Sequence, residues 1–537
     1  MADLTTRSWT ESAEVFTKPQ VALYMLQEIK RACGFRHWHK QRILEPSCGR
    51  GAFVLILVDL LIQERHRGLF KWRDPFLCDF LRAVDISPEN IAFMRQAVSE
   101  KLVGDGCPCG LAWNLVEQWF VCDDFLTHDF DGQEFDVVVG NPPYIRFDDI
   151  PPEKQEVYQR EYHTFTDRCD IYVPFIERGL RLLSKRGAFS FICANRYAKN
   201  KYGVQLRRMI TTEYHTHLYL NVEHADAFLQ KVSAYPAIIV VDRRMGRETY
   251  AGELSDIMLL NEFRTGRAGR LSRFEKWYGG DEPWVSTDRK ELEVWQNVAA
   301  KFPVIEDSAP GTKVGIGIAS GADGVFTLDT ETDVENDSKL PMVRAEDIRP
   351  GRIEWGGKYL LNPYDSQDSK RMRDLARFPK TRGYLLQHES VLKNRHCAKA
   401  HPTDWFRTID RVNYSVYRSP KILMPDIQLG GVAALDAEGR FCPHHNVYYV
   451  ISASWNMRAI CAIMRSSFVT QQIKRLSVSL RGGSIRYQSQ NLRQVYIPKF
   501  SDLRTGEIKA LGQLADSPDT NRIDSVVWGV VNRLLAG

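Results

Sequence analysis

Apolar positions in the first half of the chain switch repeatedly between two periods. Helical spacing over residues 20–31 is followed by short β-branched runs at Arg42–Glu45, Leu81–Asp85 and Phe135–Gly140. Helices are predicted from Ala52, after Pro88 and over Asp170–Leu183, and further apolar strands over Ala188–Cys193 and Ala237–Asp242. Strand and helix signals in alternation predict an α/β, Rossmann-like, doubly wound sheet. Beyond Asp242 the alternation stops: arginine-rich turns, Gly279-Gly280, a glycine-spaced stretch from Gly311 to Gly324 and short isolated strands take over. A domain boundary is therefore expected near residue 245, dividing a first domain of residues 1–245 from an irregular α+β region over 246–537. No internal repeat or low-complexity tract is visible.

Composition narrows the class without naming it. At 537 residues, 44% hydrophobic and 26% charged, the chain is long enough for two or three domains and too apolar for extensive disorder. A net charge of +5 permits a polyanionic partner, so local clustering must decide. Eleven scattered cysteines and an amino terminus without a signal-peptide pattern predict free thiols in a reducing cytoplasm. The apolar run Phe53–Ile62 contains Asp59 and is too short to span a bilayer. Cys107-Pro108-Cys109 and the group Cys442, His444, His445 have metal-like spacing, but neither has a matching second pair, so no metal is expected.

The sharpest chemical signal is Asn141-Pro142-Pro143-Tyr144, at the predicted carboxyl end of a buried strand in FDVVVGNPPYIRF. An asparagine carbonyl beside the carbonyl of Pro142 can accept both hydrogens of an exocyclic amine, while Tyr144 offers a ring face to a planar heterocycle. An Asn-Pro pair alone is also ordinary turn punctuation, so the weight lies in the segments that precede it.

Residues 43–53, ILEPSCGRGAF, set a strand, the acidic Glu45 and a turn bracketed by Gly49 and Gly51 directly before a helix. The spacing is not the GxGxxG of a dinucleotide site, and no GKS or GKT follows. Asp85 ends the next strand in RAVDIS, where its carboxylate can accept two ribose hydroxyls. Asp124 in CDDFL is predicted to precede a further strand and to meet an adenine amino group, with Phe125 as an apolar wall. An adenosyl ligand without phosphates suits this set.

The ordered segments EVFTKPQ, LEPSCGRGAF, AVDIS, CDDFL, NPPY, DIYVPFIERGLRLL and GAFSFICANRY resemble the gamma-class, Taq-type adenine-specific DNA methyltransferases of restriction-modification systems, over roughly residues 14–245. The resemblance implies S-adenosyl-L-methionine as cofactor. Thr17–Pro19 would lie over its methionine end, Glu45, Pro46, Gly49 and Gly51 along its amino-acid part, Asp85 and Ile86 at the ribose, and Asp124 with Phe125 at the adenine. It further implies a flipped target base held by Asn141 and Pro142, stacked on Tyr144, with a second aromatic from ANRYAKNKYG. Tyr202 is the choice there and Tyr197 the alternative, because Cys193 and Arg196 stand where the family carries proline and tryptophan.

In the second half, residues 381–421 carry eight basic residues (Arg382, Lys393, Arg395, Lys399, Arg407, Arg411, Arg418 and Lys421) against three acidic ones, interleaved with Trp405, Phe406, Tyr414 and Tyr417. Such a stretch suits phosphate tracking, or equally a solvated face over core aromatics. VGIGIASGADGVF, VRAEDIRPGRI and RGGSIRYQSQNLRQVYIP look like target-recognition segments of the same family, with Arg481–Arg486 as a DNA loop. The expected protein is a site-specific N6-adenine methyltransferase acting on double-stranded DNA, monomeric, without a nuclease of its own and partnered by a separate cognate endonuclease. N4-cytosine, RNA adenine and protein glutamine amide remain open as alternative acceptors.

Overall fold

The structure, a computed structural model, describes residues 15–230, 235–260, 271–275, 277–285, 287–366, 368–477 and 483–537. The chain divides into two compact units, residues 1–292 and 293–537.

The first unit is built on one nine-stranded sheet. Its elements in chain order are α1 (Pro19–Cys33), β1 (Ile43–Glu45), α2 (Val54–His66), β2 (Leu81–Asp85), α3 (Pro88–Gly104), α4 (Cys109–Trp119), β3 (Phe120–Cys122), β4 (Phe135–Gly140), α5 (Pro152–Glu161), α6 (Tyr172–Arg181), β5 (Leu183–Ala194), α7 (Val204–Glu213), β6 (His215–Asn221), β7 (Pro236–Asp242), β8 (Thr249–Glu253) and β9 (Leu271–Phe274). Strands lie in the order β3-β2-β1-β4-β5-β7-β6-β8-β9. The first five run parallel, and β7 is antiparallel to both β5 and β6.

Alternation along the central strands feeds two cores. Ile43, Val137 and Val139 face one cluster with α1 to α4, while Leu44 and Val138 face the other with α6 and α7. Both faces being covered, these strands read as unbroken apolar runs. Chain order reverses between β1 and β4, which opens a crevice beyond the carboxyl ends of the strands.

The α/β reading stands, and β2 and β4 occupy the predicted residues. One expectation is corrected. The boundary near 245 falls between β7 and β8 of a continuous sheet, because β8 pairs parallel with β6 and β9 pairs with β8. Asp124 lies between the short strand β3 and β4, and its backbone carbonyl accepts the N–H groups of Thr127 and His128.

The second unit holds two four-stranded sheets. One joins β10 (Lys313–Ile316), β16 (Lys421–Pro425), β18 (Ala434–Asp436) and β20 (Val447–Ile451) in the order β10-β20-β16-β18. The other joins β11 (Thr327–Leu328), β12 (Lys339–Val343), β15 (Tyr359–Leu361) and β19 (Cys442–Pro443). Two-stranded ladders join β13 (Ile348–Arg349) to β14 (Arg352–Ile353), and β17 (Ile427–Gln428) to β21 (Ile485–Arg486). Helices Met457–Arg465, Ser467–Leu476, Thr505–Gln513 and Thr520–Ala536 supply much of a separate apolar core.

Candidate functional site

One cavity opens at the carboxyl ends of β1, β2 and β4, where the strand order reverses. Thr17, Glu45, Pro46, Gly49, Asp85, Ile86, Asp124, Phe125, Asn141 and Pro142 all line it. Ten residues singled out from five separate segments of sequence therefore share one wall.

The turn after β1 brings backbone close to the cavity. Gly49 and Gly51 have φ of 47° and 85°, and a Cβ on Gly51 would lie 2.3 Å from Cε of Met94. The Gly49 N–H donates to Oδ2 of Asp85 at 2.8 Å, and the Ser87 N–H and Asn90 amide donate to Oδ1 at 2.9 and 3.3 Å. These bonds orient the Asp85 carboxylate at the end of β2 and tie it to the glycine turn.

Glu45 closes β1 with 1% exposure, and its Oε2 has no hydrogen-bond partner. Burial, with Asp85 nearby, pushes its carboxyl well above the usual carboxylate range. Thr17 Oγ1 and Asn141 Oδ1 are likewise buried and unpartnered. Buried polar atoms are ordinarily paired, so three orphans on one cavity wall mark a place built for a polar ligand.

Asn141 is oriented by its other end. Its Nδ2 donates to the Val15 carbonyl at 2.7 Å, and the Ser47 hydroxyl donates to its backbone carbonyl at 2.9 Å. Val15 sits in a segment stitched to the strand-proximal loop by Lys18 N–H to Ala227 O at 3.0 Å and Leu229 N–H to Phe16 O at 2.9 Å.

Asp124 meets the cavity with its carboxylate engaged: Oδ1 accepts the Leu126 N–H at 3.0 Å, and Oδ2 accepts Lys154 Nζ at 2.6 Å and the Tyr158 hydroxyl at 2.8 Å. Phe125 packs on Phe175 with ring centroids 5.0 Å apart, and Tyr158 and Phe175 both line the cavity. Sequence reasoning passed over Val15, Lys154, Tyr158 and Phe175. Helix α5 is polar enough to hide Tyr158, its one buried residue, and Val15 acts through a backbone carbonyl.

Gly51, Tyr144 and Tyr202 are not part of the cavity wall. Tyr144 is half-buried with its hydroxyl unpartnered, edge-on to Phe228 at 6.2 Å. Tyr202 is also half-buried, and its hydroxyl shares a hydrogen bond with that of Tyr172 at 2.8 Å. Tyr197 is fully enclosed against Tyr172 and Trp284. The loop that carries Tyr197 and Tyr202 is anchored by the buried Arg207, which donates to the carbonyls of Tyr197, Asn200 and Asp281.

The basic stretch of the second unit proves mixed. Arg395 donates to the carbonyls of Ser320, Trp405 and Arg407, and Lys421 is fully buried with Asp436 at 2.7 Å. Phe406 lies in a core cluster with Trp405, Tyr414 and Tyr417 packed against it. Arg382, Lys393, Lys399, Arg411 and Arg418 are exposed. In the expected DNA loop, residues 481 and 482 lie outside the described residues.

Comparison with known proteins places this architecture. A family model described as Eco57I restriction-modification methylase matches residues 111–228. The chain is 33% identical to the Type II methyltransferase M.BstVI of Geobacillus stearothermophilus, over 98% of this chain and 96% of that one. It is 34% identical to M.PaeR7I of Pseudomonas aeruginosa, over 96% and 90%, and 34% identical to M.XhoI of Xanthomonas vasicola, over 97% of each. Among solved structures, the Type IIL restriction-modification enzyme MmeI shares the fold at TM-score 0.61 and 10% identity, over 96% of this chain and 71% of that one. Among the described residues, no helix is long and apolar enough to cross a membrane. With near-complete coverage by three relatives above 30% identity, the chain belongs to the Type II DNA methyltransferases of restriction-modification systems, whose cofactor is S-adenosyl-L-methionine.

Proposed function

We propose that this enzyme methylates the N6 amine of an adenine turned out of double-stranded DNA, within a short specific sequence. The observation that carries the proposal is the buried, unpartnered Oδ1 of Asn141, aimed by the bond from Nδ2 to Val15. An amide locked this way presents an acceptor and no donor, which suits an amine bearing two hydrogens.

The cavity fits the cofactor by its own chemistry. Glu45, whose buried Oε2 is unpartnered, offers an acceptor to an ammonium; Thr17 and Pro46 border the same region, and Gly49 and Gly51 allow close backbone approach. Asp85 retains acceptor capacity for ribose hydroxyls beside Ile86. Asp124 and Phe125 offer an acceptor and a ring face to an adenine. When bound, S-adenosyl-L-methionine supplies a methyl group on positively charged sulfur.

Asn141 Oδ1 and the Pro142 carbonyl then accept the two N6 hydrogens, which draws the amine lone pair out of conjugation with the ring and toward the methyl donor. Positioning is the principal catalytic contribution, and the scheme needs no covalent intermediate. Tyr144 and Tyr202 would enclose the base, whose release from the stack costs roughly a few kcal/mol, offset by those contacts. The partial exposure of Tyr202 favours it over the enclosed Tyr197. The exposed arginines and lysines of residues 381–421 would track phosphates in a target-recognition unit. The enzyme acts in a prokaryotic cytoplasm as a monomer, and a separate endonuclease cleaves the unmodified site.

Single-molecule sequencing of DNA from cells expressing the chain, beside an Asn141→Ala control, tests the reading. Modified adenines in one short motif, absent from the control, are expected. Modification at cytosine, or unmodified DNA despite folded protein that binds the cofactor, would overturn it.

A further inference from the structure

The second unit brings together three side chains that have no part in methyl transfer. His444 Nε2 and His445 Nδ1 lie 3.2 and 3.6 Å from the same oxygen, Oδ2 of Asp323, and the two imidazole rings sit 4.0 Å apart. All three atoms fall within 4.8 Å of one another. We propose that Asp323, His444 and His445 form a binding site for a divalent transition metal of the zinc type, with a fourth position open to water.

Geometry carries the assignment. Two bonds of about 2.0–2.1 Å meeting at a tetrahedral angle hold their ligand atoms roughly 3.3–3.4 Å apart, and both distances to Asp323 lie close to that edge. The ligands are also held from behind. Nδ1 of His444 is 2.8 Å from the side-chain oxygen of Asn446, a contact that in the neutral ring would hold the proton on Nδ1 and leave Nε2 free to bind a metal. Nε2 faces the Asp323 carboxylate oxygen, and a metal cation placed between them would be held by both. Oδ1 of Asp323 accepts the Ser320 hydroxyl at 2.5 Å, which turns Oδ2 toward the histidines.

The backbone around the site is tightly held. The His444 N–H donates to Val343 O at 3.0 Å, Ile318 bridges to His444, and a Cβ on Gly317 would lie 2.1 Å from the His444 carbonyl. Exposure is graded: the His444 side chain is 10% exposed, and those of His445 and Asp323 are 45% and 46% exposed. One face is thus anchored while the other can admit an ion and a water ligand.

Sequence spacing had grouped these histidines with Cys442, but that thiol is fully buried and does not converge with them. Asp323, more than a hundred residues away in sequence, takes its place. Elsewhere, His37, His39 and Glu64 also converge, yet the Glu64 oxygens already accept the Trp38 N–H, the His39 N–H and the His39 ring within 2.9 Å. A metal at Asp323 would clip the segment before β11 to the turn between β19 and β20.

The test uses the full chain without a histidine tag, stripped by chelator and titrated with Co²⁺, then Zn²⁺. A single-equivalent visible absorption band that Zn²⁺ displaces, with a rise in Tm, is expected for the wild type and for His37→Ala. His445→Ala should lose both signals, and Asn446→Ala should weaken binding by about 10–100-fold. Absence of the band and of the Tm shift in the wild type, or their persistence in a folded His445→Ala variant, would overturn the proposal.

Discussion

Nδ2 of Asn141 donates to the backbone carbonyl of Val15 at 2.7 Å, and that bond decides which end of the amide faces the cavity. Asn141→Asp replaces the donor with a second oxygen and sets it against the carbonyl. Methyl transfer should fall by about 100-fold or more, since each displaced polar contact in a dry site is worth roughly 1–3 kcal/mol. Cofactor affinity, measured by calorimetry, should stay within about tenfold of the wild type.

Glu45 makes stability depend on pH in a direction opposite to most carboxylates. Its folded-state pKa is raised by burial, so its contribution is complete below the unfolded value and is lost as pH rises through the folded value. Glu45→Gln should therefore melt higher than the wild type near pH 8 in the absence of cofactor, with the gap closing toward about pH 4.5. The same variant should bind S-adenosyl-L-methionine more weakly. Thermal melts across pH, with and without cofactor, check both halves.

Gly51 combines a left-handed φ with a close neighbour, and the two can be separated by mutation. Gly51→Ala should cost about 1–3 kcal/mol, from backbone strain and from the clash with Met94. Adding Met94→Ala should not restore stability, because the strained φ of 85° remains and a buried side chain is lost. Urea melts of the single and double variants give the answer.

Among the cations of residues 381–421, burial separates two behaviours. Lys421→Ala should destabilise the second unit by roughly 3–5 kcal/mol, because it strands the buried Asp436 carboxylate. The triple variant Arg382→Ala, Lys399→Ala, Arg411→Ala should leave Tm unchanged while lowering DNA affinity and flattening its dependence on salt. Melting curves and salt titrations of DNA binding distinguish the two.

How much of this was legible depended on where the chemistry sat along the chain. Asn141, Asp85 and Glu45 stand at strand ends whose apolar runs are visible, and the cavity gathers all three. Strand β3 has only three residues, too few to display a period, so it was not legible in the sequence. Lys154 and Tyr158 lie on a helix with a single buried residue, which leaves no apolar stripe to find. The boundary was misplaced because β8 and β9 are short and joined by polar text, although they extend the same sheet. Asp323 and His444 are far apart in sequence and adjacent in space, a relation that no local spacing contains.

The stitching of Val15–Lys18 to residues 226–230 has a consequence for how the enzyme is made. The backbone N–H of Phe16 donates to the side chain of Gln230 across 214 residues, and Thr17 bridges to Phe228. A ribosome releases the glycine turn and the Asn-Pro-Pro-Tyr segment long before that partner loop emerges. Val15 is fastened only afterwards, so the orientation of Asn141 is among the last features of the unit to form. Nascent chains halted before residue 226 would carry every motif up to Tyr202 without the partners that fasten Phe16 and Thr17.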